Sequence, residues 1–129
     1  PVDLVRPRSE EGVAKFVADC NAHGEPVKVV GAGHSFSSIA LVQDGGHMLS
    51  LDLLRDIIHV DRHVGGSNFS HVTVGAGIRL YELNTELEKL GLALQNLGAT
   101  AEQSLAGATA TGTHGTGDTG SLSAAIVGA

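Results

Sequence analysis

At 129 residues the chain has room for one domain, residues 1–129, with a modest core, and no apolar run approaches the length of a membrane span. A net charge of −6, with Lys and Arg forming no patch, sets nucleic acid aside as a partner. The single cysteine, Cys20, excludes an internal disulfide and fits a reducing compartment; with no export or targeting signal in view, a cytoplasmic, soluble location is the default expectation.

In chain order, PVDLVRP reads as a short strand closed by Pro7. Ser9 then offers an N-cap oxygen, and Glu10 and Glu11 suit the positive end of a helix. Val13, Phe16, Val17 and Cys20 recur on one helical face, which places Cys20 in the core, and Gly24 is a stop. Val27 to Val30 predicts a short buried strand running into a glycine turn. DGG at 44–46 is a turn signal; HMLSLDLL and DIIHVDRH read as two strands, with GGSN at 65–68 as the next turn. HVTVGAG gives a third strand. Leu80, Leu83, Leu87 and Leu90 then predict an amphipathic helix ended by Gly91. GAG occurs at Gly31 and at Gly75, in different settings, and is not read as a repeat. The order β-α-β, further strands, α, and a Gly/Thr-rich segment predicts an α+β fold. The closing run AAIVGA reads as strand-like, and the expectation is a piece of a longer protein.

The Eighteen glycines are about twice the usual share of about 7 %, and they gather beside apolar residues, which points to tight turns and close backbone approach. In VKVVGAGHSFSSIA, from Val27 to Ala40, the turn breaks a strand and presents backbone N–H groups with Ser35, Ser37 and Ser38, an arrangement that holds anions such as a diphosphate. A Rossmann site is one alternative, with Asp52 as its ribose-binding acid. Phe36 stands where its third glycine belongs, and no crossover helix is apparent before the acidic strand. A P-loop is excluded because no GK[ST] follows. His34 reads either as a turn histidine bonded to a neighbouring carbonyl or as a neutral imidazole able to react with a bound cofactor. His47, His59, His63 and His71 read as surface residues, with no HExxH to support a metal.

A second small-residue segment, NLGATAEQSLAGATATGTHGTG, runs from Asn96 to Gly117. Ser104 can cap a short helix through LAGATA, whose small side chains allow close packing on a flat ligand. TGTHGTG adds N–H and hydroxyl donors. A surface loop is the alternative, but Leu97, Leu105, Ala106, Ala108 and Ala110 would have no use there.

Together, VKVVGAGHSFSSIA and VTVGAGIRLYELNTELEKLGLALQNLGATAEQSLAGATATGTHGTG resemble the FAD-binding domain of the vanillyl-alcohol oxidase/p-cresol methylhydroxylase (PCMH-type) superfamily, within it the sugar-lactone and alditol oxidase branch. The likeness spans nearly the whole chain. It implies two small α+β subdomains with FAD between them, the second incomplete here. It implies an FAD-dependent oxidoreductase acting on a small-molecule sugar alcohol or aldonolactone at a carbinol carbon, with electrons passing to O2 or another acceptor. The family's substrate domain, which carries the catalytic base, would be missing. By position, the resemblance carries over Val29, Val30, Gly31, Ala32, Gly33, His34 and Ser35 as cofactor contacts, with His34 as the covalent link to the flavin. The second segment carries Ala99, Ser104, Gly107, Thr111, Gly112, Thr113 and His114; relatives often have Ser at the place of Ala99, so only a backbone contact is implied there. A non-catalytic nucleotide-binding module using the same loops is the alternative from another class.

Overall fold

The computed structural model describes residues 4–31, 45–94, 102–111 and 122–128. The architecture is α+β. Strand β1 (Leu4–Val5) leads through helix α1 (Glu10–Ala22) to β2 (Val27–Val30), and β3 (His47–Ser50) follows. These strands form a parallel sheet in the order β1-β3-β2, with Val27 opposite His47 and Val30 opposite Ser50. Strands β4 (Ile57–Asp61) and β5 (His71–Val74) form a separate antiparallel pair whose register shifts between Ile57 and His59. Helices α2 (Leu80–Lys89) and α3 (Leu105–Ala110) follow, then a 3-10 turn at Leu122–Ala125.

The helix ends have local causes. Ser9 Oγ accepts from the Gly12 N–H at 3.0 Å and starts α1. Gly24 and Gly91, at φ +68° and +73°, follow α1 and α2 in the left-handed conformation that favours glycine. Ser104 Oγ accepts from the Gly107 N–H at 3.3 Å and starts α3. At the head of α2, Glu82 accepts from the Arg79 backbone N–H at 3.2 Å.

The buried apolar residues concentrate on α2. Ile78, Leu83 and Leu87 pack against Ile57, Val72 and Val74 from the antiparallel pair. Leu80, at the head of the helix, packs with Ala108 of α3 and Leu122. Leu105 touches both clusters and joins α3 to them.

Several expectations need correction. The strand predicted through Leu54 stops at Ser50, because Leu54 N–H donates to Leu51 O at 2.9 Å and closes a turn. GGSN does turn the chain, but as part of a 3-10 turn at Val64–Gly66, with Gly65 and Gly66 at positive φ. β2 is not buried: it is an edge strand, and Val29 is 57 % exposed. Val17 is exposed although it shares the predicted apolar face of α1, while Cys20 is buried. Of the strand-like run at the end, Ala124 and Ala125 belong to the 3-10 turn at Leu122–Ala125, and Ile126 and Val127 are exposed beyond it. Finally, β2 and β3 pair in parallel, and residues 32–44, where the Rossmann alternative needs its crossover helix, lie outside the described residues. Among the described residues no helix is long and apolar enough to cross a membrane.

Candidate cofactor-binding site

A cleft of about 270 Å³ opens at the C-terminal ends of β2 and β3. One wall is the end of β2, Val29 to Gly31. Another is the turn after β3, Leu51 and Asp52. A third comes from Ala76 and Gly77, and the fourth from the small face of α3 with its cap, Ser104, Ala106, Gly107 and Ala110.

Glycine makes this convergence possible. A β-carbon on Gly31 would lie 2.8 Å from Ser104 Oγ, so the two glycine segments already touch and neither can thicken. A β-carbon on Gly77 would collide with the Leu51 carbonyl, and one on Gly75 with the Leu54 carbonyl. The turn after β3 can therefore lie against the GAG turn only because both positions are glycine.

Hydrogen bonds fix α3 in this wall. Leu105 N–H donates to Ile78 O at 2.8 Å and Ala106 N–H to Ala76 O at 3.0 Å, while Leu80 N–H donates to Gln103 O at 2.9 Å. With the Gly107 N–H taken by Ser104, these donors are satisfied within the protein. The helix thus contributes a thin, close-fitting surface of Ala and Gly, not a free set of N–H groups.

Among the described residues, Asp52 is the one charged group in the lining. Its Oδ1 accepts from Arg79 Nη2 at 3.2 Å, and both side chains are mostly buried. Arg79 Nη1 is buried without a hydrogen-bond partner among the described residues. Arg55 and Glu82 form a further ion pair at 3.5 Å.

Of the residues expected at the site, Val29, Val30, Gly31, Ser104 and Gly107 come together around this cleft. Thr111, at the end of α3, is not in its lining; its hydroxyl donates to Gly107 O at 3.1 Å. Ala32, Gly33, His34, Ser35, Ala99, Gly112, Thr113 and His114 lie outside the described residues. The cleft also includes residues the sequence did not single out for it: Leu51, Ala76, Gly77 and, outside the Rossmann alternative, Asp52. The second GAG was the available signal for Ala76 and Gly77. The histidine reading also changes at one position. His59, His63 and His71 are exposed, but His47 is half-buried and bonded to Glu25 at 2.7 Å.

A family model described as FAD binding domain matches residues 1–128. The chain belongs to this FAD-binding family. D-arabinono-1,4-lactone oxidase of Eremothecium gossypii is 42 % identical over 110 residues, covering 85 % of this chain and 20 % of the relative. L-gulono-1,4-lactone dehydrogenase of Mycobacterium tuberculosis is 41 % identical over 117 residues, covering 91 % of this chain and 26 % of the relative. Among solved structures, cholesterol oxidase from B. sterolicum superposes with a TM-score of 0.74 at 26 % identity, covering 87 % of this chain and 21 % of that one. The chain therefore spans a fifth to a quarter of the length of these relatives.

The cleft suits part of an FAD molecule. Its volume lies just below the usual range of ligand pockets, about 300–1,000 Å³, so it can take one section of a long dinucleotide and not the whole. β-Carbons at Gly31 and Gly107 would each press on Ser104 Oγ, at 2.8 and 3.0 Å, so glycine at both positions lets the two walls of the cleft meet closely.

Proposed function

We propose that this chain is the FAD-binding part of an oxidoreductase that oxidises an aldono-1,4-lactone or a sugar-derived alcohol at a carbinol carbon. The observation that carries the reading is the meeting of two glycine segments, distant in sequence, at one cleft in an FAD-binding family fold. The printed names of the relatives, lactone oxidase and lactone dehydrogenase, support the substrate class and leave both O2 and another electron acceptor in play. A remaining substrate domain elsewhere in a longer protein is part of the proposal, supported by the share of the relatives that the chain spans. A cytoplasmic location belongs to it as well.

The residues divide the cofactor between them by charge. Asp52, even with one oxygen held by Arg79, has acceptor positions left for hydroxyls and offers a phosphate no donor, so a sugar portion is assigned to its side of the cleft. The diphosphate is assigned to the Gly31 side, with Ala32, Gly33 and Ser35, next in sequence, and Gly112, Thr113 and His114, which follow α3 in sequence, as its further contacts. Ala106 and Gly107 keep that space thin. His34, three residues beyond Gly31, is the proposed tether to the flavin ring, and Ala99 offers a backbone contact. The chemistry that the flavin supplies when bound is two-electron oxidation of the carbinol carbon. The chain's own residues bind it, orient it and exclude water from it.

Acid precipitation of the whole protein tests the tether. Flavin is expected to stay with the wild-type pellet and to leave with the supernatant from a His34→Ala variant. Flavin that washes out of the wild type removes the tether and leaves the cleft assignment standing. Expression of residues 1–129 alone tests the division of labour: weak or absent flavin retention and no turnover are expected. Full loading with oxidase activity would contradict it.

A further inference from the structure

At the opposite end of the parallel sheet from the cleft, three side chains from separate elements converge. Cys20 comes from the last turn of α1, Glu25 from the connection to β2, and His47 from the first position of β3. The thiol sulfur, a carboxylate oxygen and a ring nitrogen all lie within 4.8 Å of one another. We propose that Cys20, Glu25 and His47 form a three-ligand site for zinc, separate from the flavin cleft.

The geometry and the donor set both point to this ion. Zinc takes Cys, His and carboxylate ligands at about 2.0–2.3 Å, which in a tetrahedron sets the ligands about 3.3–3.7 Å apart. To reach that arrangement the 2.7 Å contact between His47 Nε2 and Glu25 Oε2 opens by about 0.6 Å, and the Cys20 sulfur, within 4.8 Å of both, closes by no more than about 1.3 Å. Sulfur and imidazole select a borderline metal over the hard cations magnesium and calcium. The Glu25 side chain is 44 % exposed, which gives an ion a way in and leaves water as the fourth ligand.

The backbones under these ligands are already tied together. Glu25 N–H donates to Cys20 O at 2.9 Å, and His47 N–H donates to Pro26 O at 2.8 Å. The Phe16 ring meets the His47 ring edge to face at 5.5 Å and restricts its rotation. A thiol carries its proton at neutral pH, with an ordinary pKa of about 8.5. Binding therefore replaces the S–H proton by the metal and releases it to solvent, while the His47–Glu25 hydrogen bond gives way to two metal bonds. The ion would pin the end of α1 to the start of β3. The cleft lies at the other end of the same strands, about 10 Å away at the usual rise per residue.

Cobalt(II), a spectroscopic stand-in for zinc, tests this on the whole flavin-loaded protein. The expected result is one equivalent bound, with a thiolate-to-cobalt charge-transfer band in the metal-minus-free difference spectrum. Zinc should displace the cobalt and magnesium should not. Cys20→Ser should abolish the band. Glu25→Gln and His47→Gln should each weaken binding at least about tenfold. The flavin spectrum should not change in any of these. Absence of the band in the wild type, or a band of full size in Cys20→Ser, overturns the proposal. Should Cys20→Ser not fold, Glu25→Gln decides, because its side chain is partly exposed and undiminished affinity there is equally fatal.

Discussion

The two halves of the molecule are built on different terms. From Ile57 onward the chain has an apolar centre: Ile78, Leu80, Leu83, Leu87, Ala108 and Leu122 are each at most 4 % exposed and pack across β4, β5, α2 and α3. The parallel sheet with α1 buries far less. Cys20 and Leu49 are its fully buried apolar residues among those described, while Leu4, Val17 and Val29 stand open to solvent. The second half supplies its own stability. The first is a thin frame that sets the ends of β2 and β3 against α3, and part of its apolar surface is free for a ligand.

That contrast can be broken or sharpened by substitution. The largest effect is expected at Gly77→Val, which drives a branched side chain into the Leu51 carbonyl at the seam between the halves. A loss above about 4 kcal/mol, or failure to fold, should appear in denaturant unfolding; a loss below about 1 kcal/mol would mean that the turn after β3 does not lie where it is described. Leu83→Ala, in the self-supporting half, should cost about 3 kcal/mol through lost burial and a residual cavity. Ser104→Ala removes the α3 cap and should cost about 1 kcal/mol. It also frees space beside Gly31, so flavin affinity should change even where stability recovers at low temperature. Smallest of all, Val17→Ala on α1 should stay within about 0.5 kcal/mol. A cost at Val17 equal to that at Leu83 would erase the distinction between the two halves.

What could be read from sequence follows the range of the interactions involved. The α2 helix was legible because Leu80, Leu83 and Leu87 share one face and Gly91 can adopt φ +73°. The caps at Ser9 and Ser104 were legible because each serves an N–H three residues away. Errors arose where a local preference needs a distant partner. LDLL has strand-forming residues but no neighbouring strand, so it turns. Val29 sits in a strand, yet on an edge facing the cleft. The two glycine segments each announce close approach, but nothing local says that Gly31 approaches Ser104 or that Gly77 approaches Leu51. The grouping of Cys20, Glu25 and His47 was hidden for the same reason: parallel pairing of β2 and β3 brings His47 beside the end of α1.

The central claim is that the end of β2 and the small face of α3 close on one diphosphate-bearing cofactor. A crystal structure of the flavin-loaded protein tests it most directly. The account predicts the diphosphate beside Gly31, with Ala106 and Gly107 facing it and a sugar hydroxyl toward Asp52. A cofactor bound away from that cleft, or one that touches the β2 end without approaching α3, would contradict it.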